Sequence, residues 1–348
     1  MKMKKILAML CSLALTMAVG CSVPTEQPAA QDGQPAQTEP EAGQTAENKQ
    51  LVIGVSPKMI GAPYWEYANQ GCVEAGKALG VKVEMQATTT ASATEQVSII
   101  DNYITMGVDA LVVAANDEST LLPALKRAEE AGIPIFTYDS DVPDSARLYC
   151  VAGTGQVNLG EIMAQQLVEE MGEEGEVAFM TGSLGAFNHN QILEGYRNVL
   201  SQYPGITEVA VVESGDDQQK AFVNAENLLA SYPNLKGILG VAAGETPAAA
   251  EAVVQAGRSG EVQIVGVATP NSVKQFYEDG TLTKTVLWDP YDMGYIAVKI
   301  AVDYLGGVEP ATGDVLIDGG NPVTIDEDGN LYIGTTVFTK ENIGNYDF

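Results

Sequence analysis

The sequence predicts an α/β protein built from two lobes, each a doubly wound parallel sheet. From Leu51 onward, short apolar runs of about six residues alternate with amphipathic stretches of about 12–16 residues. This alternation is typical of βαβ units, in which helices connect buried parallel strands. The strand candidates in roughly 300 residues are more numerous than one usual domain holds, so we expect two lobes.

The elements follow one another without a heptad run or a short-period repeat. In chain order, the strand candidates are residues 51–55, 81–87, 109–115, 133–138, 147–153, 176–182, 208–214, 236–242, 262–268 and 282–288. The helix candidates between them include residues 64–79, 94–106, 118–131, 159–171, 190–202, 219–231, 247–257 and 292–304.

The first 21 residues, MKMKKILAMLCSLALTMAVGC, predict a secretory signal. Three lysines precede about 15 mostly apolar or small residues, a run too short to span a bilayer as a mature helix. The ending AVGC resembles the lipobox of bacterial lipoproteins, in which Cys21 is lipidated and becomes N-terminal after cleavage. The alternative is an ordinary signal peptide that happens to contain Cys21.

Residues 22–49 predict a disordered tether, because they include one valine and no other large apolar residue. Such a segment cannot bury enough surface to offset the entropy lost on ordering. The net charge of the chain is −28, and it becomes about −31 when the signal and its three lysines are removed. This charge argues against a nucleic-acid partner and against docking to anionic lipid.

Two cysteines remain in the folded part, Cys72 in a predicted helix and Cys150 near a predicted strand. They could form a disulfide. We favour free, buried thiols, because a domain of nearly 300 residues does not need a covalent link.

Open parallel sheets bind ligands at the carboxyl ends of their strands, so the residues that follow each strand are the candidates for a site. After the first strand, Lys58 is followed by the adjacent aromatics Tyr64 and Trp65 at the start of a helix. Aromatic faces can stack on the apolar face of a sugar ring. The alternative is that both rings pack the helix onto the sheet.

Carboxylates follow the third and fourth strands, where they could accept hydrogen bonds from neighbouring hydroxyl groups of a polyol. Asp117 could instead be the N-cap of the next helix. Asp139 directly ends an apolar strand, where capping does not explain it, so we expect it to bind ligand.

Later strands end on further polar and small residues. Asn188 and His189, the single histidine of the chain, follow the sixth strand, although Asn188 could also be an N-cap. Small residues that include Ala243 follow the eighth strand, and Trp288 and Asp289 follow the tenth. If His189 lines the site near its ordinary pKa of about 6.5, ligand affinity should depend on pH.

Enzyme motifs are missing from the sequence, which has no GxGxxG after the first strand, no P-loop, no GxSxG and no CxxC pair. One histidine cannot form a multi-histidine metal site. Many hydrogen-bonding groups without a nucleophile–base pair favour a binding site without cofactor or metal over an active site.

With these residues placed, the chain resembles the type I periplasmic sugar-binding proteins, the ribose-binding-like receptors of ABC importers. Within them it is most similar to the autoinducer-2-binding and rhamnose-binding branch. The resemblance covers nearly all of residues 51–348 and includes PALKRA, GIPIFTYDSD, VGVATPN, GTLTKTVLWD and FTKENIGNYDF.

The resemblance implies two lobes joined by a three-strand hinge, with crossings near Gly153, Trp288 and Gly313. Residues 51–153 and 289–313 would then form the N-terminal lobe, and residues 154–288 and 314–348 the C-terminal lobe.

The resemblance also implies a site. The lysine and the strand-ending aspartate of autoinducer-2 receptors match Lys58 and Asp139, and their aromatic pair matches Tyr64 and Trp65. In the second lobe, Asn188-His189 replaces Asp-Gln and Val241 replaces a proline, whereas Ala243 is kept. The expected ligand is therefore a pentose, a deoxyhexose or a related furanosyl sugar, with autoinducer-2 as the alternative.

The function implied is that of a monomeric, non-enzymatic receptor, held by lipid on the extracellular face of the cell membrane. Its partners would be an ABC permease and the ATPase of that permease. A second function, in which the same ligand is reported to a sensor, remains open.

Overall fold

A computed structural model of the chain describes residues 50–348. The predicted signal peptide, Cys21 and the tether lie outside the described residues. Within them the predicted α/β class is confirmed, and no helix combines the length and the apolar character needed to cross a membrane.

The elements alternate along most of the described chain. The helices are α1 (Pro63–Leu79), α2 (Ala93–Met106), α3 (Glu118–Glu130), α4 (Gln156–Met171), α5 (Phe187–Leu200), α6 (Gln218–Ser231), α7 (Glu245–Gln255), α8 (Pro270–Glu278) and α9 (Pro290–Leu305), with a short 3₁₀ turn at Ile343–Asn345. The strands are β1 (Val52–Ser56), β2 (Lys82–Met85), β3 (Ala110–Val113), β4 (Ile135–Tyr138), β5 (Arg147–Ala152), β6 (Glu174–Thr181), β7 (Gly205–Glu213), β8 (Leu235–Gly240), β9 (Gln263–Gly266), β10 (Thr285–Leu287), β11 (Thr324–Ile325), β12 (Asn330–Tyr332) and β13 (Thr336–Phe338).

The first sheet has the strand order β11-β12-β5-β4-β3-β1-β2 and is parallel except for β11. Successive residues of β3 point to opposite faces, because the side-chain period of a strand is two. Val112 packs into the cluster that includes α1 and α9, whereas Leu111 and Val113 pack into the cluster that includes α2 and α3. The sheet is therefore covered by helices on both faces.

The second sheet has four parallel strands in the order β7-β6-β8-β9. Within its lobe, α4 packs against α5 and α6 packs against α7. Val286 of β10 bridges to Val267 beyond β9, and β10 pairs with β13 in an antiparallel ribbon. The ribbon thus extends the second lobe.

The chain passes between the two lobes at three places. After β5 it leaves the first sheet through residues 153–155, and between β10 and α9 it returns through Trp288. The third passage differs from the expectation near Gly313, because β11 and β12 hydrogen-bond into the first sheet beside β5. It lies at residues 333–335, between β12 and β13. Residues 314–332 therefore belong to the first lobe, whereas the expectation placed them in the second.

The two cysteines of the described residues are free, and Asn188 is not a helix cap. Cys72 and Cys150 are both buried and unpaired. Helix α5 begins at Phe187 with Ala186 as its N-cap, so Asn188 and His189 lie in its first turn and Asn188 is not the cap.

Candidate functional site

A cavity of about 600 Å³ lies at the carboxyl ends of strands from both sheets. Its volume falls in the range of sites for small molecules. Most of the predicted site residues share this cavity as lining: Lys58, Tyr64, Trp65, Asp139, Asn188, His189, Ala243 and Trp288.

A buried polar network connects the two lobes at the floor of the cavity. The Lys58 ammonium lies 3.3 Å from Asp139 Oδ1, and both side chains are almost fully buried. Asn188, from α5 of the second lobe, accepts a hydrogen bond from Lys58 at 3.3 Å and donates one to Asp139 Oδ1 at 3.2 Å. One amide of the second lobe therefore bonds to both members of an ion pair of the first lobe.

Asp139 lies in the left-handed region, with φ of 63°, directly after β4. This conformation is uncommon for a residue other than glycine and is found preferentially at functional positions. The Tyr64 hydroxyl donates to Asp139 Oδ2 at 2.6 Å, and burial followed by the Asp139 charge raises the pKa of Tyr64. The phenol therefore remains a donor to the carboxylate.

The aromatic residues both pack the fold and line the cavity. The rings of Tyr64 and Trp65 meet edge to face at 5.1 Å, and both residues belong to the hydrophobic core. Trp288 Nε1 donates to the Tyr64 hydroxyl at 3.0 Å. A chain of hydrogen bonds thus runs from Trp288 through Tyr64 to Asp139, and the two alternatives for the aromatic pair are compatible.

Asp117 and Asp289 lie outside the cavity lining. Asp117 is the N-cap of α3 and accepts a hydrogen bond from the Thr120 amide at 2.7 Å. Asp289 is the N-cap of α9 and accepts from the Tyr291 amide at 2.9 Å. Both carboxylates therefore serve helix termini, which is the alternative that the sequence analysis gave for Asp117.

His189 is buried, with 4% of its surface exposed. Its Nδ1 accepts a hydrogen bond from the Ser183 amide at 3.0 Å. The Ser183 carbonyl oxygen and the Thr181 hydroxyl also lie close to Nδ1, at 3.2 and 3.3 Å. Burial, and then the positive charge of Lys58, hold the pKa of His189 well below its usual 6.5. The imidazole is therefore neutral at ordinary pH, contrary to the expectation of a titration near 6.5.

The sequence expectations missed the loops after β7 and β9, which also line the cavity. Asp216 and Thr269 come from these loops. Glu245, at the start of α7, accepts hydrogen bonds from the Ser214 hydroxyl and, at 3.0 Å, from the Ala242 amide. Burial, followed by the charge of Asp216, raises the pKa of Glu245 to about 7. The strand-end rule points to Asp216, which lies three residues after the end of β7.

The site has the composition of a binding site. Among residues 50–348, no group of three or more histidine, cysteine, aspartate or glutamate side chains is arranged to hold a metal ion. The donors and acceptors described above converge on a mainly apolar cavity, which is the usual arrangement for recognition of a polar small molecule.

Comparison with known families gives a match to the family described as periplasmic binding protein domain, over residues 53–309. The chain is 24% identical over 306 residues to the ribose import binding protein RbsB of Bacillus subtilis, covering 88% of this chain and 94% of that protein.

Solved structures with the same architecture include two whose ligands are known. LsrB from Clostridium saccharobutylicum, in complex with AI-2, is 28% identical with a TM-score of 0.78, covering 86% of this chain and 100% of that one. An ABC transporter solute-binding protein of Clostridium phytofermentas, with bound L-rhamnose, is 25% identical with a TM-score of 0.79, covering 85% of this chain and 98% of that one. These relatives are binding proteins rather than enzymes.

Proposed function

The chain belongs to the periplasmic binding protein family, and from this premise we propose that it is the substrate-binding receptor of an ABC importer for a small carbohydrate. The observation that carries the proposal is the cavity between the lobes, in which Asn188 of one lobe is bonded to Lys58 and Asp139 of the other. A ligand in this cavity would contact both lobes at once.

The chemistry of the cavity supports a sugar. Carboxylate, amide and imidazole groups supply acceptors and donors for hydroxyl groups, and the indole and phenol rings supply apolar surface for the C–H face of a sugar ring. Ribose is in the name of one relative and L-rhamnose is bound by another, which supports a pentose, a deoxyhexose or a related furanosyl sugar.

A second candidate ligand is autoinducer-2. It is supported by the similarity to LsrB and by the presence of Lys58, Asp139 and Ala243 in the cavity lining. Against it, Asn188 and His189 replace the Asp-Gln pair that the resemblance leads one to expect. Because Asn188 donates to Asp139, an aspartate at position 188 could not form the same bond unless it were protonated.

The ligand class can be tested directly by mass spectrometry of small molecules that co-purify with residues 50–348. Calorimetry with D-ribose, D-arabinose, D-xylose, L-rhamnose and autoinducer-2 then measures affinity. We expect Asp139→Asn to weaken binding of the preferred sugar at least tenfold, since charge-assisted hydrogen bonds are worth roughly 1.5–3 kcal/mol each. Asp144→Asn is the matched control, because Asp144 is exposed and lies outside the cavity lining. If the protein binds none of these compounds, the proposal is contradicted.

We further propose that the protein is held on the extracellular face of the membrane by lipid on Cys21 and works as a monomer with a permease and an ATPase. The AVGC ending of the first 21 residues supports the anchor. Fractionation of cells that express Cys21→Ala should find the protein in the medium or the soluble fraction. Retention of this variant in washed membranes would contradict lipid anchoring. Genes for a permease and an ATPase beside this one would favour import over a sensory role.

A further inference from the structure

Asp216 adopts a left-handed backbone conformation, which is uncommon outside glycine although aspartate tolerates it better than most residues. It follows β7 and has φ of 56°, directly after Gly215 at 72°. Left-handed backbone is natural for glycine, whereas other residues keep it chiefly where the surroundings or the function require it. The conformation therefore calls for a reason at position 216.

The Asp216 carboxylate lacks the partners that a buried charge needs. Its Oδ2 is closed off from solvent and receives no hydrogen bond from any residue in the range 50–348. Burial is the main reason that the pKa of Asp216 is raised, although the charge of Lys58 lowers it. The Lys58 ammonium is itself bonded to Asp139 and Asn188, at 3.3 Å in both cases. An unsatisfied buried carboxylate is costly and requires explanation.

A structural role does not supply that explanation. The N-cap of α6 is the next residue, Asp217, whose Oδ1 accepts from the Lys220 amide at 2.9 Å. Gly182 leaves room for the Asp216 side chain, because a Cβ at position 182 would lie 1.9 Å from Asp216 Oδ1. Asp216 also lines the cavity. The fold therefore makes space for a carboxylate that lines the cavity.

We propose that Asp216 is a specificity-determining residue of the second lobe, which accepts hydrogen bonds from hydroxyl groups of a neutral sugar. This inference rests on the proposed function. Asp139 and Asp216 then supply one carboxylate from each lobe, and a ligand rich in hydroxyl donors satisfies both. The same charge disfavours sugar phosphates, whose negative charge would lie against an unpaired carboxylate.

The test compares Asp216→Gly and Asp216→Asn with the wild type by calorimetry. The probes are D-ribose, D-arabinose, D-xylose, L-rhamnose and D-ribose 5-phosphate. Glycine fits the left-handed backbone, so Asp216→Gly should melt within a few degrees of the wild type while losing at least tenfold in affinity. Asp216→Asn should lose a similar factor. Glu213→Gln, which removes a neighbouring charge outside the cavity lining, should bind as the wild type does.

The outcomes separate the two proposals. If the wild type and Asp216→Gly bind a neutral sugar with affinities within twofold of each other, the role of Asp216 is overturned. The receptor function then stands. The role of Asp216 is also overturned if D-ribose 5-phosphate binds as tightly as the neutral sugar. Failure of the wild type to bind any of the neutral sugars would contradict the receptor function, and the inference with it.

Discussion

His189 illustrates at the residue scale how burial changes the chemistry that a residue type suggests. Its ring accepts at Nδ1 from the Ser183 amide and lies within the electrostatic influence of Lys58. Protonation would place a positive charge in a buried site near the charge of Lys58. The imidazole therefore acts in the cavity as a neutral group.

The prediction for His189 follows from its lowered pKa. Because the pKa lies well below 6.5, the ring proton signals of this single histidine should not titrate between about pH 5.5 and 7.5. The pH profile of sugar affinity should be the same in His189→Gln as in the wild type. Nuclear magnetic resonance and calorimetry measure the two quantities. A ring titration centred near 6.5 would contradict the neutral assignment.

Glu245 carries the opposite kind of shift and links stability to pH. Its pKa is raised from 4.5 to about 7, first by burial and then by the charge of Asp216. Between these values the folded state binds more protons than the unfolded state, so stability falls as pH rises through the window. The stabilising state of the side chain is the protonated one.

The prediction for Glu245 is that Glu245→Gln gains stability relative to the wild type as pH rises from about 5 to 8. The gain should be on the order of 1–3 kcal/mol, because one pKa unit corresponds to about 1.4 kcal/mol. Glu251→Gln is the control, since Glu251 lies exposed on the same helix. Chemical denaturation at both pH values gives the difference. An equal difference at pH 5 and pH 8 would contradict the raised pKa.

Sequence could locate part of this site but not its electrostatics. Lys58 and Asp139 were predictable because they follow strands whose apolar character is clear. Glu245 lies in a run of small residues, GETPAAAEA, which gives no sign that its carboxylate is buried and accepts a hydrogen bond from Ser214. Asp117 and Asp289 also follow strands, yet hydrogen bonds to helix amides determine their role. The position of a residue after a strand thus predicts that it lies near a site, whereas its hydrogen-bond partners determine what it does there.

At the scale of elements, close helix packing fixes the position of the residues of α5. Gly160 of α4 and Gly195 of α5 face each other across this pair. A Cβ at Gly195 would lie 2.1 Å from the Val157 carbonyl oxygen, and one at Gly160 would lie 2.2 Å from the Ile192 carbonyl oxygen. The two backbones therefore approach as closely as glycine permits, and α5 carries Asn188 and His189 into the cavity.

The prediction for this contact reverses the usual effect of the substitution. In an exposed helix interior, glycine to alanine stabilises by roughly 0.5–1 kcal/mol. Gly195→Ala should instead destabilise by about 1–3 kcal/mol, because the added methyl group overpacks a fixed backbone. Gly344→Ala is the control, since a Cβ there meets nothing within 4 Å. Thermal and chemical denaturation measure both variants, and a stabilised Gly195→Ala would contradict the close contact.

The sequence predicted the long apolar strands and missed the short elements. All ten predicted strands correspond to β1–β10, because buried parallel strands are continuous apolar runs. Strands β11, β12 and β13 have only two or three residues each. The three-residue β10 was predicted because it lies within the longer segment LTKTVLW. The third passage between lobes was misplaced because β11 and β12 were missed. The predicted start of α5 was too late, because the side chain of Ala186 cannot cap a helix and so gives no signal in the sequence.

At the scale of the whole molecule, the passages between the lobes contact the site. A Cβ at Gly153 would lie 2.6 Å from the ring of Trp288, so two of the three passages pack directly on each other. Trp288 bonds to the Tyr64 hydroxyl, and Tyr64 bonds to Asp139. These contacts would couple a movement of the lobes about the passages to the group proposed to bind the ligand.

The prediction at this scale is that the protein closes on its sugar by bending at these passages, since each lobe supplies only part of the cavity lining. Small-angle scattering should show compaction of the wild type when the preferred sugar is added. Gly153→Ala should lose at least tenfold in affinity, because its methyl group would displace Trp288 from Tyr64. Gly155→Ala is the matched control, as the nearest atom to its Cβ is the Tyr332 hydroxyl at 3.9 Å. A scattering profile unchanged at saturating sugar would overturn hinge closure, and equal affinities in the two variants would overturn the coupling through Trp288.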